Sequence, residues 1–578
     1  MQKLTNLVMK KIAISTFLVV LFCALLPCGM KGQDSVVVSM PNRYQLQSAH
    51  VRVLFQDSEG YMWYGMKSDG LYRDDGYTLT SFRADFLHPE VQMNNNIMCL
   101  CEDKYDRLWI GTKRGLYILD KHDYSIRPTG DKTLQIWTFD ALKASMGDSV
   151  WAYANKHLLV YDRNGNCISQ TPYDENPLVT QSRKEITDQR GNIWKIDDDG
   201  IPSVLRTPLV KLEEVDLEKV PLRCMLPPNT AVLPPEHRVH YVWEAKNGTK
   251  WIGTNLGLWR VRPDSEPEQV GPNFGVVSTL APAEDGTVYM NTEWQGLISY
   301  KDEVITRLDT TIRNATDVYL DKEKLWICTA DGRLMYYDVE KGTKVDKSLE
   351  CCLQGDAPAG IVVLKGVVWL LFNQRLVIYS PEKNVLRYFF PSDLDPQPKF
   401  FRRLYTDGES RIYLECEKKT FEIMMTSDSR RNVSENIAVS AYQTIHGTYS
   451  LGLGARELNL ASDERVVHLF FTTFDHLNTQ HIRFAFRRGG ESEWEYLEMG
   501  KNDARITQLS KGENIVEVMA TDANGEWNKE FITIKIYCEA YWWETVWAFI
   551  AFGVVAVMML VLAFFVWRKV KSKRSKKK

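Results

Sequence analysis

Three features of this 578-residue sequence predict an all-β chain that ends in a membrane helix. A short phrase of residues recurs nine times between residues 51 and 424. A different rhythm of short apolar strands follows it, and an uncharged run of 22 residues, 546–567, lies near the C-terminus.

The clearest copies of the phrase begin Asp57-Ser-Glu-Gly60-Tyr-Met-Trp63-Tyr-Gly65 and Asp103-Lys-Tyr-Asp106-Arg-Leu-Trp109-Ile-Gly111. Its aromatic anchor recurs at Trp63, Trp109, Trp151, Trp194, Trp251, Tyr289, Trp326, Trp369 and Tyr413. The eight intervals average about 44 residues, the period of a propeller blade and too long for ankyrin or leucine-rich units. Each copy has an apolar strand, an acidic turn with Gly, a second strand around the anchor and a turn ending in Gly-Leu, which is a meander of antiparallel strands. A blade cannot bury both faces alone, so blades stack around an axis, and the anchors are expected in the core. The reading is a single β-propeller of about 7–9 blades over residues 33–424.

After Tyr413 the phrase stops, and residues 425–437 form a polar linker. Four short strands follow, around Val466–Phe471, His481–Phe486, Ile515–Met519 and Phe531–Ile536, separated by Gly489-Gly490, Lys511-Gly512 and Asn524-Gly525. Residues 438–540 therefore read as an immunoglobulin-like β-sandwich.

Residues 546–567 can form about 33 Å of helix, enough to span a bilayer core. Trp542, Trp543 and Trp547 crowd one end, Trp567 sits at the other, and residues 568–578 carry eight Lys or Arg and no acid. Such a basic tail stays cytoplasmic, which places the body outside the membrane. Residues 1–32, with Lys10-Lys11 before an apolar run, read as a signal peptide or an N-terminal anchor. The net charge of −3 hides an acidic body between two basic ends. That balance argues against direct nucleic-acid binding. Eleven cysteines form neither a dense disulfide framework nor a Cys-x-x-Cys pair, and are read as small core residues with one or two bridges at most.

The Asp-x-x-Gly-x-x-Trp-x-Gly units, followed by a sandwich with Arg483-Phe-Ala-Phe-Arg-Arg-Gly-Gly-Glu-Ser-Glu-Trp494 and Ala520-Thr-Asp-Ala-Asn-Gly525-Glu-Trp527, resemble the exported sensor portion of the hybrid two-component regulators of gut Bacteroidetes. The resemblance covers residues 40–567 and implies two-component-regulator propeller repeats and a three-tyrosine sandwich next to the membrane. The sandwich departs from its name, with Phe484, Phe486 and Ile506 in place of tyrosines. The sequence also ends eleven residues beyond the span, without the kinase, receiver or DNA-binding domains usual in the family. Output is therefore expected from a separate histidine kinase or DNA-binding regulator chain, or the chain is a degenerate truncated regulator. The resemblance further implies a glycan or oligosaccharide ligand, a homodimer and a place in the bacterial inner membrane with most of the chain in the periplasm.

No zinc-binding His-Glu-x-x-His, Gly-x-Ser-x-Gly elbow, phosphate-binding loop or phosphoacceptor region is present, so neither a catalytic residue nor a cofactor is assigned. Turns between the second and third strands of the blades are expected to line one shared mouth. Candidate ligand residues there are Lys67, Asp69, Lys113, Arg114, Asn255, Glu293, Trp294, Gln295 and Asp331. Trp294 offers a flat face on which a sugar ring could stack. The leading reading is a membrane-anchored periplasmic sensor or sensor-like subunit that binds a glycan and relays the signal through sandwich and helix. The alternative is a propeller-based glycan-acting enzyme or a surface adhesion protein, since the fold hosts unrelated functions.

Overall fold

The computed structural model describes residues 36–39, 50–84, 93–145, 147–178, 184–206, 210–216, 225–226, 233–245, 247–348, 357–417, 419–425, 436–452, 454–490 and 493–575. The signal segment 1–32 and most of the linker 425–437 lie outside these. Nine sheets carry the nine phrases, one each: blade 1 (51–82), blade 2 (97–128), blade 3 (139–172), blade 4 (185–206), blade 5 (225–270), blade 6 (277–309), blade 7 (315–346), blade 8 (360–389) and blade 9 (401–425).

The chemistry of the phrase is visible in blade 1. One oxygen of Asp57 accepts the backbone N–H groups of Gly60 and Tyr61 at 3.0 and 2.9 Å, closing the turn. The other accepts the Trp63 indole N–H at 2.9 Å. Asp103 and Asp188 hold Trp109 and Trp194 in the same way, at 2.7 and 2.8 Å. One carboxylate thus satisfies both the turn and the polar atom of a buried indole. Blade 3 has Ser145 at this place, and Trp151 is 40% exposed, against the expectation that every anchor is core. Tyr289 and Trp369 are half-buried.

The sequence reading gives a single ring of about 7–9 blades, and the nine sheets fall into two sets by the strands that complete blades 4 and 9. Val36–Ser39 is the outermost strand of blade 4, antiparallel to Pro202–Arg206. Val210–Val215 is added in the same way to blade 9, along Lys419–Met425. Each set is thereby fastened by a strand from its own beginning. In blades 1–4, Val51, Leu54 and Tyr64 of blade 1 pack on Trp194 and Val204 of blade 4. Blades 5–9 share one core, and the short strand Met225–Leu226 of blade 5 lies beside the first strand of blade 9, closing a ring. The fastening strands carry no anchor residue, so the repeat could not reveal them. Its only trace is the interval from Trp194 to Trp251, 57 residues, where the others run from 37 to 46.

On the axis of blades 5–9 sits Asp317, 2% exposed. Its carboxylate accepts the hydroxyls of Tyr241 (blade 5) and Thr279 (blade 6), both at 3.0 Å, and the backbone N–H groups of Val318 and Ile361 (blade 8), both at 2.9 Å. Burial raises its pKa to about 6, against the pull of these donors.

Residues 438–538 form two sheets with a common core. Val439, Val467, Leu469 and Phe471 of one face Phe484, Phe486, Val516, Val518, Ile534 and Ile536 of the other. The residues joining Val467–Thr472 to Phe484–Arg488 form a wedge against both blade sets. Phe474 packs edge-on to Tyr61, with ring centroids 4.8 Å apart, and Arg190 donates to the Thr473 carbonyl at 3.0 Å. His476 Nε2 donates to the Gly60 carbonyl at 2.8 Å, and Nδ1 lies 3.4 Å from Asp74. Five residues on, His481 Nε2 meets Asp393 of the second set at 3.0 Å. Burial alone would lower the His476 pKa, but the Asp74 carboxylate and the Gly60 carbonyl hold its proton and raise it to about 9.

Helix α1, Val546–Ser575, contains a stretch, Val546–Arg568, long and apolar enough to cross a membrane. It starts after Thr545, whose hydroxyl accepts the Ala548 N–H at 3.3 Å. Its entry is clamped to the sandwich by Arg465, which donates to Glu544 at 3.1 Å and to the Glu539 carbonyl at 3.0 Å and lies 4.7 Å from the Tyr541 ring. Cys99, Cys101, Cys167, Cys328, Cys416 and Cys538 are free thiols.

Two measurements check this account. Trp109→Ala should cost about 3–5 kcal/mol in denaturant unfolding and Trp151→Ala less than about 1.5 kcal/mol, because only the first vacates a filled core. The second is a pH series. A histidine whose folded pKa exceeds its unfolded value near 6.5 stabilises fully below pH 6.5, and that stability is lost as pH rises through about 9. Stability should therefore fall by on the order of 3 kcal/mol across that window, and His476→Gln should flatten the fall.

Candidate functional site

The inner strands that carry Asp317 also build the floor of a wide, open cavity. Side chains two apart on a strand share a face, so Trp243 stands one level above Tyr241, Tyr319 above Asp317 and Val363 above Ile361. Trp243 and Tyr319 meet with ring centroids 5.8 Å apart, and with Val363 they line a cavity of about 1460 Å³. All five blades of the set contribute to it: Trp251 from blade 5, Tyr300 from blade 6, Asp321 from blade 7, Lys365 from blade 8 and Glu409 from blade 9. The cavity is thus the mouth of the ring, and the Asp317 bonds lie beneath its floor.

Its wall is aromatic and charged at once. Arg260 lies 5.3 Å from the Trp251 ring and donates to Glu268 at 2.6 Å, and Arg262 meets the same carboxylate at 2.8 Å. The Arg260 bond, reinforced by both guanidinium charges, holds the Glu268 pKa below its ordinary value. Asp321 is half-buried, and burial pushes its carboxyl upward. Trp243, Trp251, Tyr300 and Tyr319 are 7–8% exposed and belong to the core of the set, so the reachable surface of the mouth is mainly polar and charged and suits a ligand with many hydrogen-bonding groups. Among the described residues no group of three or more His, Cys, Asp or Glu is arranged to hold a metal ion.

The sequence-derived candidates lie elsewhere, and none lines this cavity. Lys67, Asp69, Lys113 and Arg114 belong to blades 1 and 2, in the first set; Asn255, Glu293, Trp294, Gln295 and Asp331 belong to blades 5, 6 and 7. They are spread over five blades, 1, 2, 5, 6 and 7. Their turns join second to third strands, whereas the cavity is rimmed by first-to-second and third-to-fourth turns such as 245–249, 282–287 and 301–303, at the opposite end of the meander. Three of the candidates serve their own surroundings. Asp69 accepts from Tyr72 at 2.5 Å and Arg83 at 3.2 Å. Asn255 accepts the Arg238 N–H at 2.7 Å. Asp331 accepts from Asn314 at 3.1 Å and Arg333 at 2.8 Å, and its side-chain hydrogen bonds, that to Thr329 foremost, hold its pKa down to about 2. Lys67, Lys113, Arg114 and Glu293 are exposed, and Gln295 is half-buried. Trp294 is 59% exposed, one part of its indole lying over Gly275, where an added Cβ would come within 2.8 Å of the ring.

Trp243, Tyr300, Tyr319, Arg260 and Glu268 line the cavity and are not among the sequence-derived candidates. An aromatic opposite the anchor marks Trp243 and Tyr319, but Phe55 and Tyr405 hold the same register in blades 1 and 9, so the phrase alone does not single them out.

A family model described as the two component regulator propeller matches residues 92–114, around the Trp109 anchor. No curated protein matches the chain. Among solved structures, the chain is similar to an extracellular domain from B. thetaiotaomicron described as that of a hybrid two component system, at 13% identity and a TM-score of 0.41, covering 87% of this chain and 94% of that one. A second extracellular domain from the same organism, described as that of a one component system, gives 13% identity and a TM-score of 0.36 over 88% and 100%. Virginiamycin B lyase from Staphylococcus aureus gives 13% and 0.28 over 50% and 96%.

Proposed function

We propose that the chain is the outward-facing sensor portion of a membrane-anchored regulator, with an oligosaccharide held in the mouth of blades 5–9. The observation that carries this reading is the cavity itself, to which every blade of a closed ring contributes and in which Trp243, Trp251, Tyr300 and Tyr319 stand beside charged groups. Support for the relay comes from the contacts that lead away from the blades. His476 and His481 tie one wedge of the sandwich to both blade sets, and Arg465 ties the sandwich to the entry of α1. The sandwich takes the role of a three-tyrosine, immunoglobulin-like domain in this reading. The match to the two component regulator propeller and the fold of the extracellular neighbours agree with it.

In this scheme residues 33–543 face the periplasm, 546–567 cross the bacterial inner membrane, and the chain works as a homodimer that acts on a separate histidine kinase or DNA-binding regulator. A ligand can drive the relay only if it binds one arrangement of blades and sandwich better than another.

Binding of an oligosaccharide panel to the full chain tests the site. Ala283 lies on the cavity wall, and Ala283→Trp should weaken binding by at least about tenfold, while Trp294→Ala, at the other end of the blades, should leave it unchanged. Loss of binding on Trp294→Ala alone would move the site to the opposite end. Cysteine crosslinking along Ala548 to Val566, with and without the bound sugar, tests the relay, and a pattern that ignores the ligand would refute it.

A further inference from the structure

The charges around the cavity mouth are unequal. Six carboxylates line it, Glu268, Glu284, Asp302, Glu303, Asp321 and Glu409, against three bases, Arg260, Arg262 and Lys365, a net charge of −3. Both arginines are held by Glu268, and Arg260 is also stacked on Trp251. Asp302, Glu303 and Asp321 line the mouth without a salt-bridge partner among the described residues, with Lys301 acting on Asp302, and Lys322 and Lys324 on Asp321, from a longer range. The wall behind them is aromatic, and a concave site of low polarisability focuses the field of its charges. The Arg260 guanidinium, lodged between an indole face and a carboxylate, is an internal example of what this wall stabilises: a cation that presents one side to a π system and the other to an acid.

We infer that the ligand of this mouth is positively charged, an oligosaccharide bearing free amino groups. The inference rests on the reading of the cavity as a glycan site and specifies the class of sugar. Uronate or sulfate groups would enter a field of their own sign. A neutral sugar could use the aromatic faces and hydrogen bonds, but not the carboxylates of Asp302, Glu303 and Asp321.

The test is calorimetric titration of the full chain in detergent with three hexasaccharides: glucosamine, N-acetylglucosamine and galacturonate. In slightly acidic buffer at about 50 mM salt, the glucosamine hexamer should bind at least about tenfold tighter than its acetylated counterpart, and the advantage should shrink at about 300 mM salt. The exposed pair Asp302→Asn and Glu303→Gln, substituted together, should cut the advantage by about threefold or more without weakening the acetylated hexamer. Rescue of the wild-type preference by Glu303→Asp in the Asp302 background would support the charge itself as the cause. Equal or tighter binding of the neutral or acidic hexamer would overturn the inference while leaving the glycan site standing. Binding of none of the three would overturn both.

Discussion

A single buried carboxylate sets the geometry of the second blade set. Asp317 receives donors from three other positions around the axis, on blades 5, 6 and 8, as well as from its own strand. An ionised group at this depth costs several kcal/mol to desolvate, which only a full shell of donors offsets. The same shell fixes how far apart the inner strands stand, and with that the width of the floor formed by Trp243, Tyr319 and Val363. Because burial lifts the Asp317 pKa to about 6, stability gained by protonating it is present below its unfolded value near 3.8 and lost as pH rises through about 6. At neutral pH the axis therefore holds charge at some cost, in return for directed bonds that an apolar plug could not make.

The first set solves its junctions differently. Lys121, fully buried, reaches Glu102 of its own blade and Asp57 of blade 1, the residue that also holds the Trp63 indole. The Asp-to-Trp bond of the phrase is thus part of the contact between blades 1 and 2. The wedge of the sandwich enters at the same place, with Phe474 against Gly60, a turn residue of φ +112° at which an added Cβ would come within 2.9 Å of the Phe474 Cβ. Turn, anchor, blade junction and domain contact share a few residues, so a displacement at one is felt by the rest.

Much of the architecture was legible because it rests on local rules. Trp63, Trp109 and Trp194 announce themselves with an aspartate six residues earlier, and the uncharged run from Val546 predicts its own helix, which extends to Ser575. What escaped was non-local. Val36–Ser39 and Val210–Val215 are ordinary apolar strands, and nothing within them tells which blade they complete. The cavity of blades 5–9 escaped for the same reason. Trp243 and Tyr319 belong to blades that are not sequence neighbours, and only ring closure brings their rings to 5.8 Å. Trp294 was conspicuous in sequence because it interrupts a turn, but conspicuousness in a turn says nothing about which end of the ring is concave.

The fastening strands also impose an order on biosynthesis. Val36 pairs with Arg206, 170 residues later, and Val210 with Met425, 215 residues later. In each set the strand made first is the last to find its place, and until then both it and the edge it will cover are unpaired. Contacts of such sequence separation form late, after the entropy of closing a long loop has been overcome. During folding the chain would pass through a stage with two open β edges, the condition most prone to pairing between molecules. A chaperone that masks short apolar strands would matter more to this protein than to one whose sheets close on their neighbours.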